Sequence, residues 1–193
     1  MSAMPVMPRE HEWTVDDLEH LPDDGLQYEL VDGVLLVSPA PVKVHQRVSR
    51  ALFRLLDQAC PPDIEVFYAP LDYQPDRRSS MQPDVLVMTR QDTGEKAATL
   101  PLVLAVEVLS PSTRRKDLVL KHSKYADSGV AHYWVVDPAG PSLTAWALVD
   151  GRYVEVAQGS GRATHRGPKC LAANCRKPRV QLRFNRFPQL AAK

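Results

Sequence analysis

One short apolar segment of the chain limits its possible folds more than any other feature. Residues 102–110 read LVLAVEVLS, a run of strand length in which Glu107 is the only charged residue. A near-continuous apolar run of this kind predicts a central strand that is covered on both faces. A carboxylate in such a strand is costly to bury unless a cation, a hydrogen-bond network or a raised pKa compensates. The segment therefore predicts a layered sheet structure and makes Glu107 a candidate functional residue.

Turn residues and apolar spacing predict the elements around this strand. Asp32-Gly33 and Asp150-Gly151 each predict a hairpin, the first near the N-terminus and the second near residue 150. Residues 44–59 have apolar side chains at helical spacing, which predicts a helix. The other face of that helix carries Arg47, Arg50 and Arg54.

Further elements follow the same reasoning. Thr14 predicts the cap of a short helix, and a third helix is expected from about residue 115 to Asp127, ended by Gly129. Strands are predicted at IEVFYA, PLDYQ, QPDVLVM and AHYWVVDP. The order of elements predicts an α/β fold, with a mixed central sheet flanked by helices, an N-terminal hairpin and a C-terminal hairpin.

Composition excludes several other classes of protein. Apolar residues make up 44% of the 193 residues and charged residues 24%, which is ordinary for a globular domain. No stretch of 18 apolar residues occurs, so neither a transmembrane helix nor a membrane partner is expected. There is no apolar signal segment, and the three cysteines are few and odd in number. These features predict a protein of the reducing cytoplasm.

Charge divides the chain into two parts. All 23 acidic residues lie before residue 156, so residues 1–158 carry a formal charge of −8 and residues 159–193 carry +9. We therefore expect a domain over 1–158 and a basic, poorly ordered tail over 159–193. Such a tail is either an interaction arm or a solvated end without a specific role.

Two more acids stand where strands are predicted, as Glu107 does. Asp84 begins the PDVLVM strand, and Glu29 lies between Tyr28 and Leu30 in the first hairpin. Carboxylates that converge at one sheet edge make an oxygen-rich site, which suits a hard divalent cation such as Mg²⁺. The alternative is that each acid pairs separately with an arginine or caps a loop.

The helix after the central strand supplies a candidate cation. Asp117, Lys121 and Tyr125 recur at steps of four residues and are expected to share one helix face. Lys124 competes with Lys121 for a functional role, and spacing alone does not choose between them.

A resemblance to a known family is carried by four strings in a fixed order: YELVDGVLLVSPAP, QPDVLV, LAVEVLSPSTRRKD and KHSKYADSGVAHYWVVDP. Together with the closing hairpin, they resemble the Uma-two family of the restriction-endonuclease-like PD-(D/E)XK superfamily. The resemblance spans roughly residues 12–157. It implies a core sheet of four or five strands and a nuclease site.

The resemblance also implies roles for individual residues. Pro83-Asp84 matches the PD of the motif, Glu107 its second acid and Glu29 its upstream acid. The usual lysine position, two residues after Glu107, is Leu109 here, and Lys121 in the next helix matches the family's relocated lysine. Helical spacing from Leu118 to Tyr125 also favours Lys121 over Lys124, if those two residues mark the sheet-facing row. Lys124 then points off that row and is expected to be an exposed, solvated side chain.

These assignments predict a metal-dependent endonuclease that hydrolyses phosphodiester bonds of DNA. Mg²⁺ or Mn²⁺ would be held by Asp84, Glu107 and the carbonyl of Val108, with Glu29 and Lys121 completing the catalytic set. His45, at the start of a helix, is a candidate contact for a substrate phosphate, although a capping role is the alternative. DNA and a second copy of the chain are the expected partners. The alternative function is a catalytically inert module that binds nucleic acid or protein and keeps the nuclease fold.

Overall fold

Residues 12–111, 114 and 116–160 are described by a computed structural model of the chain. The predicted basic tail lies outside this range except for residues 159 and 160, which belong to the last strand. The described helices are α1 (Val15–Leu18), α2 (Lys43–Asp57) and α3 (His122–Asp127), and a π-helical segment (Lys116–Lys121) leads directly into α3.

Eleven strands occur in the described residues. They are β1 (Leu26–Val31), β2 (Val34–Pro39), β3 (Ile64–Tyr68), β4 (Asp72–Asp76), β5 (Ser79–Met81), β6 (Val85–Thr89), β7 (Ala97–Ala98), β8 (Leu104–Val108), β9 (His132–Asp137), β10 (Ser142–Val149) and β11 (Arg152–Ser160). The predicted α/β fold, with a mixed sheet and a hairpin near each end, is confirmed.

The larger sheet has six strands in the order β11-β10-β9-β8-β6-β3. Strands β8 and β9 are parallel, whereas the other neighbours are antiparallel. All five residues of β8 are buried, as the apolar run 102–110 predicts. This sheet therefore places Glu107 in the interior.

A second, five-stranded sheet has the order β2-β1-β5-β4-β7. The first hairpin lies in this sheet, joined to β5 through the pairing of Leu30 with Ser80. The structure therefore has more strands than the single core sheet of four or five strands that was expected. The second sheet has no clear signal in the sequence, because two of its strands, β5 and β7, have only three and two residues and show no strand pattern.

The two hairpin turns have the backbone geometry that their sequences predict. Asp32 and Gly33 have φ values of 50° and 80°, and Asp150 and Gly151 have 49° and 76°. Positive φ at both central residues is what a two-residue turn of type I′ requires.

Both faces of the six-stranded sheet are covered. Helix α2 packs Val48, Leu52 and Leu56 on one face, against Val106 and Trp134. The other face, which includes Ala105, is buried with residues of α3 and of the five-stranded sheet such as Tyr125 and Met81. Because side chains alternate along a strand, Glu107 points to the same face as Ala105, between the two sheets.

The segment before α3 differs from the predicted regular helix. Residues Lys116–Lys121 are π-helical, and only from His122 does the chain become an α-helix, which ends before Gly129 at φ 74°. Leu118 is 38% exposed, so the proposed sheet-facing row through Leu118 is wrong. A π-helix closes its hydrogen bonds over five residues and therefore changes which side chains share a face.

No helix among the described residues is long and apolar enough to cross a membrane.

Candidate active site

Lys121 is the centre of a buried cluster of charged residues. Its side chain leaves the end of the π-helical segment and is 2% exposed. Its Nζ atom lies 2.7 Å from Oε1 of Glu29 and 3.0 Å from Oε1 of Glu107, and 3.6 Å from Oδ1 of Asp117. Burial opposes the charged ammonium, but the charges of Glu107 and Glu29 outweigh it and raise the pKa of Lys121 well above its ordinary value. Lys121 is therefore a charged lysine held among carboxylates.

Glu107 is fixed by two donors at the same carboxylate oxygen. Its Oε1 atom accepts hydrogen bonds from Lys121 Nζ and from the hydroxyl of Tyr125, the latter at 2.8 Å. Burial raises the pKa of Glu107 well above its ordinary value, and the charge of Lys121 only partly counters this. Tyr125 therefore orients the carboxylate of Glu107.

Glu29 reaches the cluster from β1, in the other sheet. It is buried, and its Oε1 atom accepts a hydrogen bond from the backbone N–H of Gln82 at 2.8 Å as well as one from Lys121. Gln82 was not predicted from the sequence, because a backbone donor leaves no mark on residue type. Its position immediately before the Pro83-Asp84 pair was the available signal.

Asp84, at the start of β6, lies next to Glu107 of the adjacent strand β8. Val85 pairs with Val106, so Asp84, one residue earlier, comes opposite Glu107, one residue later. Its Oδ2 atom accepts a hydrogen bond of 2.7 Å from the N–H of Val108. The carbonyl of Val108 projects to the same side of the strand as its N–H, because a strand residue directs both groups to one neighbour. Asp84, Glu107 and the Val108 carbonyl therefore lie at the same end of the adjacent strands β6 and β8.

His45 joins the site through Asp84. Its Nε2 atom lies 3.1 Å from Asp84 Oδ2, and the imidazole is buried. Burial opposes protonation, but the hydrogen bond to Asp84 and the charge of Asp84 outweigh it and raise the pKa of His45 above its ordinary value. The capping alternative is wrong, since His45 is the third residue of α2 and Val42 is the N-cap.

The donor set fits a hard divalent cation. Lys121 supplies one positive charge among the carboxylates of Glu29, Glu107 and Asp117, so the cluster favours a further cation. No three His, Cys, Asp or Glu side chains among the described residues are arranged to hold a metal ion by themselves. Two carboxylates with a backbone carbonyl nevertheless suit Mg²⁺, which keeps several water ligands.

Lys124 belongs to a separate cluster. Its Nζ atom lies 2.6 Å from Oδ1 of Asp32 and 2.7 Å from Oδ2 of Asp76. The expectation that Lys124 would be a solvated side chain is wrong, because it is buried. It attaches α3 to the first hairpin turn and to β4, whereas Lys121 faces the acids of the predicted site.

The structure thus brings together the residues that the sequence singled out. Glu29, Glu107 and Lys121 are in direct contact, and Asp84 joins them at the Val108 backbone. Leu109, which stands where the PD-(D/E)XK pattern has its lysine, is buried in the apolar core. The lysine in contact with Glu107 is Lys121.

The chain matches the family model "Uma2: Putative restriction endonuclease" over residues 15–176. The match covers most of the chain, so the protein belongs to the Uma2 family of restriction-endonuclease-like proteins. No curated protein sequence matches the chain significantly.

Among solved structures, the fold is similar to that of a protein from Anabaena variabilis ATCC 29413, titled "a putative nuclease belonging to DUF820". The TM-score is 0.64 at 16% sequence identity, and the match covers 81% of this chain and 89% of that one. The likeness confirms the restriction-endonuclease-like fold.

Proposed function

We propose that the protein is a metal-dependent endonuclease that hydrolyses phosphodiester bonds of DNA. Membership of the Uma2 family and the clustering of Glu29, Asp84, Glu107 and Lys121 support this function. The observation that carries the proposal is the 3.0 Å contact between Lys121 Nζ and Glu107 Oε1. It puts a lysine beside the second acid of the motif, although the usual lysine position, two residues after Glu107, is Leu109.

Asp84, Glu107 and the carbonyl of Val108 would hold the cation, with Mg²⁺ or Mn²⁺ as the proposed ion. When bound, such an ion lowers the pKa of a water ligand and polarises a phosphoryl oxygen. Asp84 is held in position by the Val108 N–H and by His45, and Glu107 by Tyr125.

Lys121 would place a positive charge beside the reacting phosphate and stabilise the negative charge of the transition state. Glu29 holds the ammonium group from the side opposite the six-stranded sheet and is in turn fixed by the Gln82 N–H. His45, given its contact with Asp84, would act mainly by orienting that carboxylate. A contact between His45 and a substrate phosphate remains a proposal.

A second candidate function is an inert module that binds nucleic acid or protein. The observation in its favour is that Lys121 is engaged by two carboxylates at hydrogen-bond distance and is almost fully buried. A buried ion-pair network of this kind also occurs in purely structural roles.

A cleavage assay separates the two functions. Supercoiled, linear and single-stranded DNA would be incubated with Mg²⁺, Mn²⁺ or EDTA. We expect cleavage only with metal, loss of cleavage in Asp84→Asn, and wild-type cleavage in Asp63→Asn, a matched change of an exposed acid. Equal products from wild type and Asp84→Asn would contradict the nuclease proposal.

We further propose that the protein acts in the cytoplasm as a homodimer. Strand β11 forms an outer edge of the six-stranded sheet, and its Val154 and Val156 are exposed. An exposed edge strand is a surface on which a second chain can pair. Sedimentation at micromolar concentration should give the mass of two chains, and a monomer alone would contradict this proposal.

A further inference from the structure

A cleft of about 570 Å³ opens beside the candidate active site, and the site as described does not use it. Asp84 is one of the residues that line the cleft. Its lining is formed by the exposed face of α2, by the end of β3 and the segment after it, and by single residues of β1 and of the segment before α2. The cleft is therefore continuous with the position at which a scissile phosphate would bind.

The helical wall of the cleft is a row of arginines. Arg47, Arg50 and Arg54 are spaced by three and four residues, so their side chains project from one face of α2 over about 10 Å. Within the described residues, none of the three guanidinium groups forms an ion pair, whereas Arg77, Arg78, Arg90 and Arg114 each do. An unpaired basic row on a domain with a net negative charge is an electrostatic site for phosphates.

The end of β3 adds an aromatic side chain to the lining. Tyr68 is 60% exposed at the end of β3, and its ring packs against Phe53 of α2 with centroids 5.0 Å apart and an angle of 76°. This edge contact fixes the orientation of the Tyr68 ring at low entropic cost. Gln27 and Gln46 add amide groups to the same lining.

From this arrangement we infer that the cleft binds the nucleotides flanking the scissile phosphate as an unpaired strand. Phosphates bind to Arg47, Arg50 and Arg54, and one base stacks on Tyr68. The inference rests on the proposed nuclease function and deepens it by naming the substrate class. Its physical basis is that a basic groove with an exposed aromatic ring is how proteins bind single-stranded nucleic acid, whereas duplex bases are already stacked on one another.

Binding in the absence of cleavage tests the inference. Fluorescein-labelled single-stranded and duplex oligonucleotides of equal length would be titrated in EDTA, at several salt concentrations, with anisotropy as the readout. We expect the single strand to bind more tightly. The triple variant Arg47→Ala/Arg50→Ala/Arg54→Ala should bind it more weakly and reduce the slope of log K against log salt by about 2, since each phosphate contact contributes about 0.7.

The matched variants separate charge from packing. The corresponding triple substitution to Lys should keep the salt slope, and Arg152→Ala, which removes an exposed arginine outside the cleft, should bind as wild type. Tyr68→Ala should weaken single-strand binding by about 5- to 150-fold, and Tyr68→Phe should bind as wild type. Phe67→Ala changes the neighbouring aromatic residue, which points to the other face of β3, and should have little effect.

Three results would overturn the inference: equal or tighter binding of duplex, an unchanged salt slope in the triple Ala variant, or unchanged single-strand affinity in Tyr68→Ala. The cleavage assay with Asp84→Asn reports on the nuclease proposal independently. Metal-dependent cleavage combined with any of these three results leaves the nuclease function standing and removes the cleft as its substrate site.

Discussion

Lys121 lies 2.7 Å from Glu29, and this ion pair joins the two sheets of the protein. Glu29 belongs to the five-stranded sheet, and the same ammonium group contacts Glu107 of the six-stranded sheet. A single side chain thus connects the upstream acid of the site to its second acid, and the candidate active site lies where the sheets meet.

Replacing Lys121 with Met should destabilise the protein by about 3–5 kcal/mol, because it leaves two buried carboxylates without a counter-charge. Urea unfolding monitored by circular dichroism measures this loss. The double variant Lys121→Met/Glu107→Gln should recover part of it, since one of the two charges is then absent. Lys96→Met is the control, because Lys96 is exposed and its pair with Glu19 contributes little. Equal stability of Lys121→Met and Lys96→Met would contradict the prediction.

Lys124→Met should lower stability by about 1–3 kcal/mol and leave metal-dependent cleavage unchanged, because its partners Asp32 and Asp76 stand apart from the site. Burial opposes ionisation of Asp76, but hydrogen bonds from Lys124 and from the backbone of Arg78 outweigh it and lower the pKa of Asp76 below its ordinary value of 3.8.

A carboxyl group whose pKa is lower in the folded than in the unfolded protein stabilises the fold above its unfolded pKa. This contribution is lost as the pH falls through its folded pKa. The difference in unfolding free energy between wild type and Lys124→Met should therefore shrink below about pH 3.8. Loss of cleavage in Lys124→Met, with the protein folded at the assay temperature, would refute its separation from the site.

His45 should titrate above its ordinary value of 6.5 in the metal-free protein, and Asp84→Asn should bring its pKa below that value. The reason is that burial lowers the pKa of an imidazole, and the hydrogen bond and charge of Asp84 oppose this more than the Val108 backbone and the charge of Asp117 do. NMR titration of the imidazole measures both values.

Because the folded pKa of His45 is the higher one, its contribution to stability is fully present below pH 6.5 and is lost as pH rises through the folded value. As the pH rises from 6.5 through the folded pKa of His45, the unfolding free energy of the wild type should therefore fall relative to that of Asp84→Asn. An Asp84→Asn protein in which His45 still titrates above 6.5 would show that another group holds the proton.

Deleting residues 161–193 should leave the fold intact and flatten the salt dependence of DNA binding. The deletion removes nine basic residues and no acid, and it spares β11, which ends at Ser160. Thermal unfolding measures the first effect, and anisotropy at several salt concentrations the second. A truncated protein that is unfolded would place the domain boundary beyond residue 160.

The elements that could be predicted from the sequence have local signals. Asp32-Gly33 and Asp150-Gly151 predicted their hairpins because a type I′ turn needs residues that tolerate positive φ. Helix α2 and strand β8 were found from apolar spacing. The pairing of β5 with β1 could not be, because a three-residue strand that joins two distant segments leaves no periodic pattern.

The residues of the candidate site could be predicted from the sequence, but the contacts between their side chains could not. Glu29, Asp84 and Glu107 stand out as acids within apolar strands, and the family resemblance added Lys121. The contact of His45 with Asp84 depends on how α2 crosses the sheet edge, which no local pattern reveals. The sequence does not reveal the burial of Lys124, because spacing rules for a regular α-helix do not hold in a π-helical segment.

The length of the π-helical segment determines whether Lys121 can reach the acids of the candidate site. A π-helix closes each hydrogen bond over one residue more than an α-helix does, so deletion of one residue between Lys116 and Lys121 would change the direction of the lysine relative to Glu29 and Glu107. Lys121 and the residues after it would keep their spacing along the chain, so the sequence motif around the lysine would look unchanged. Among relatives of this chain, the length of this segment therefore tells more about an assembled site than the presence of the lysine does.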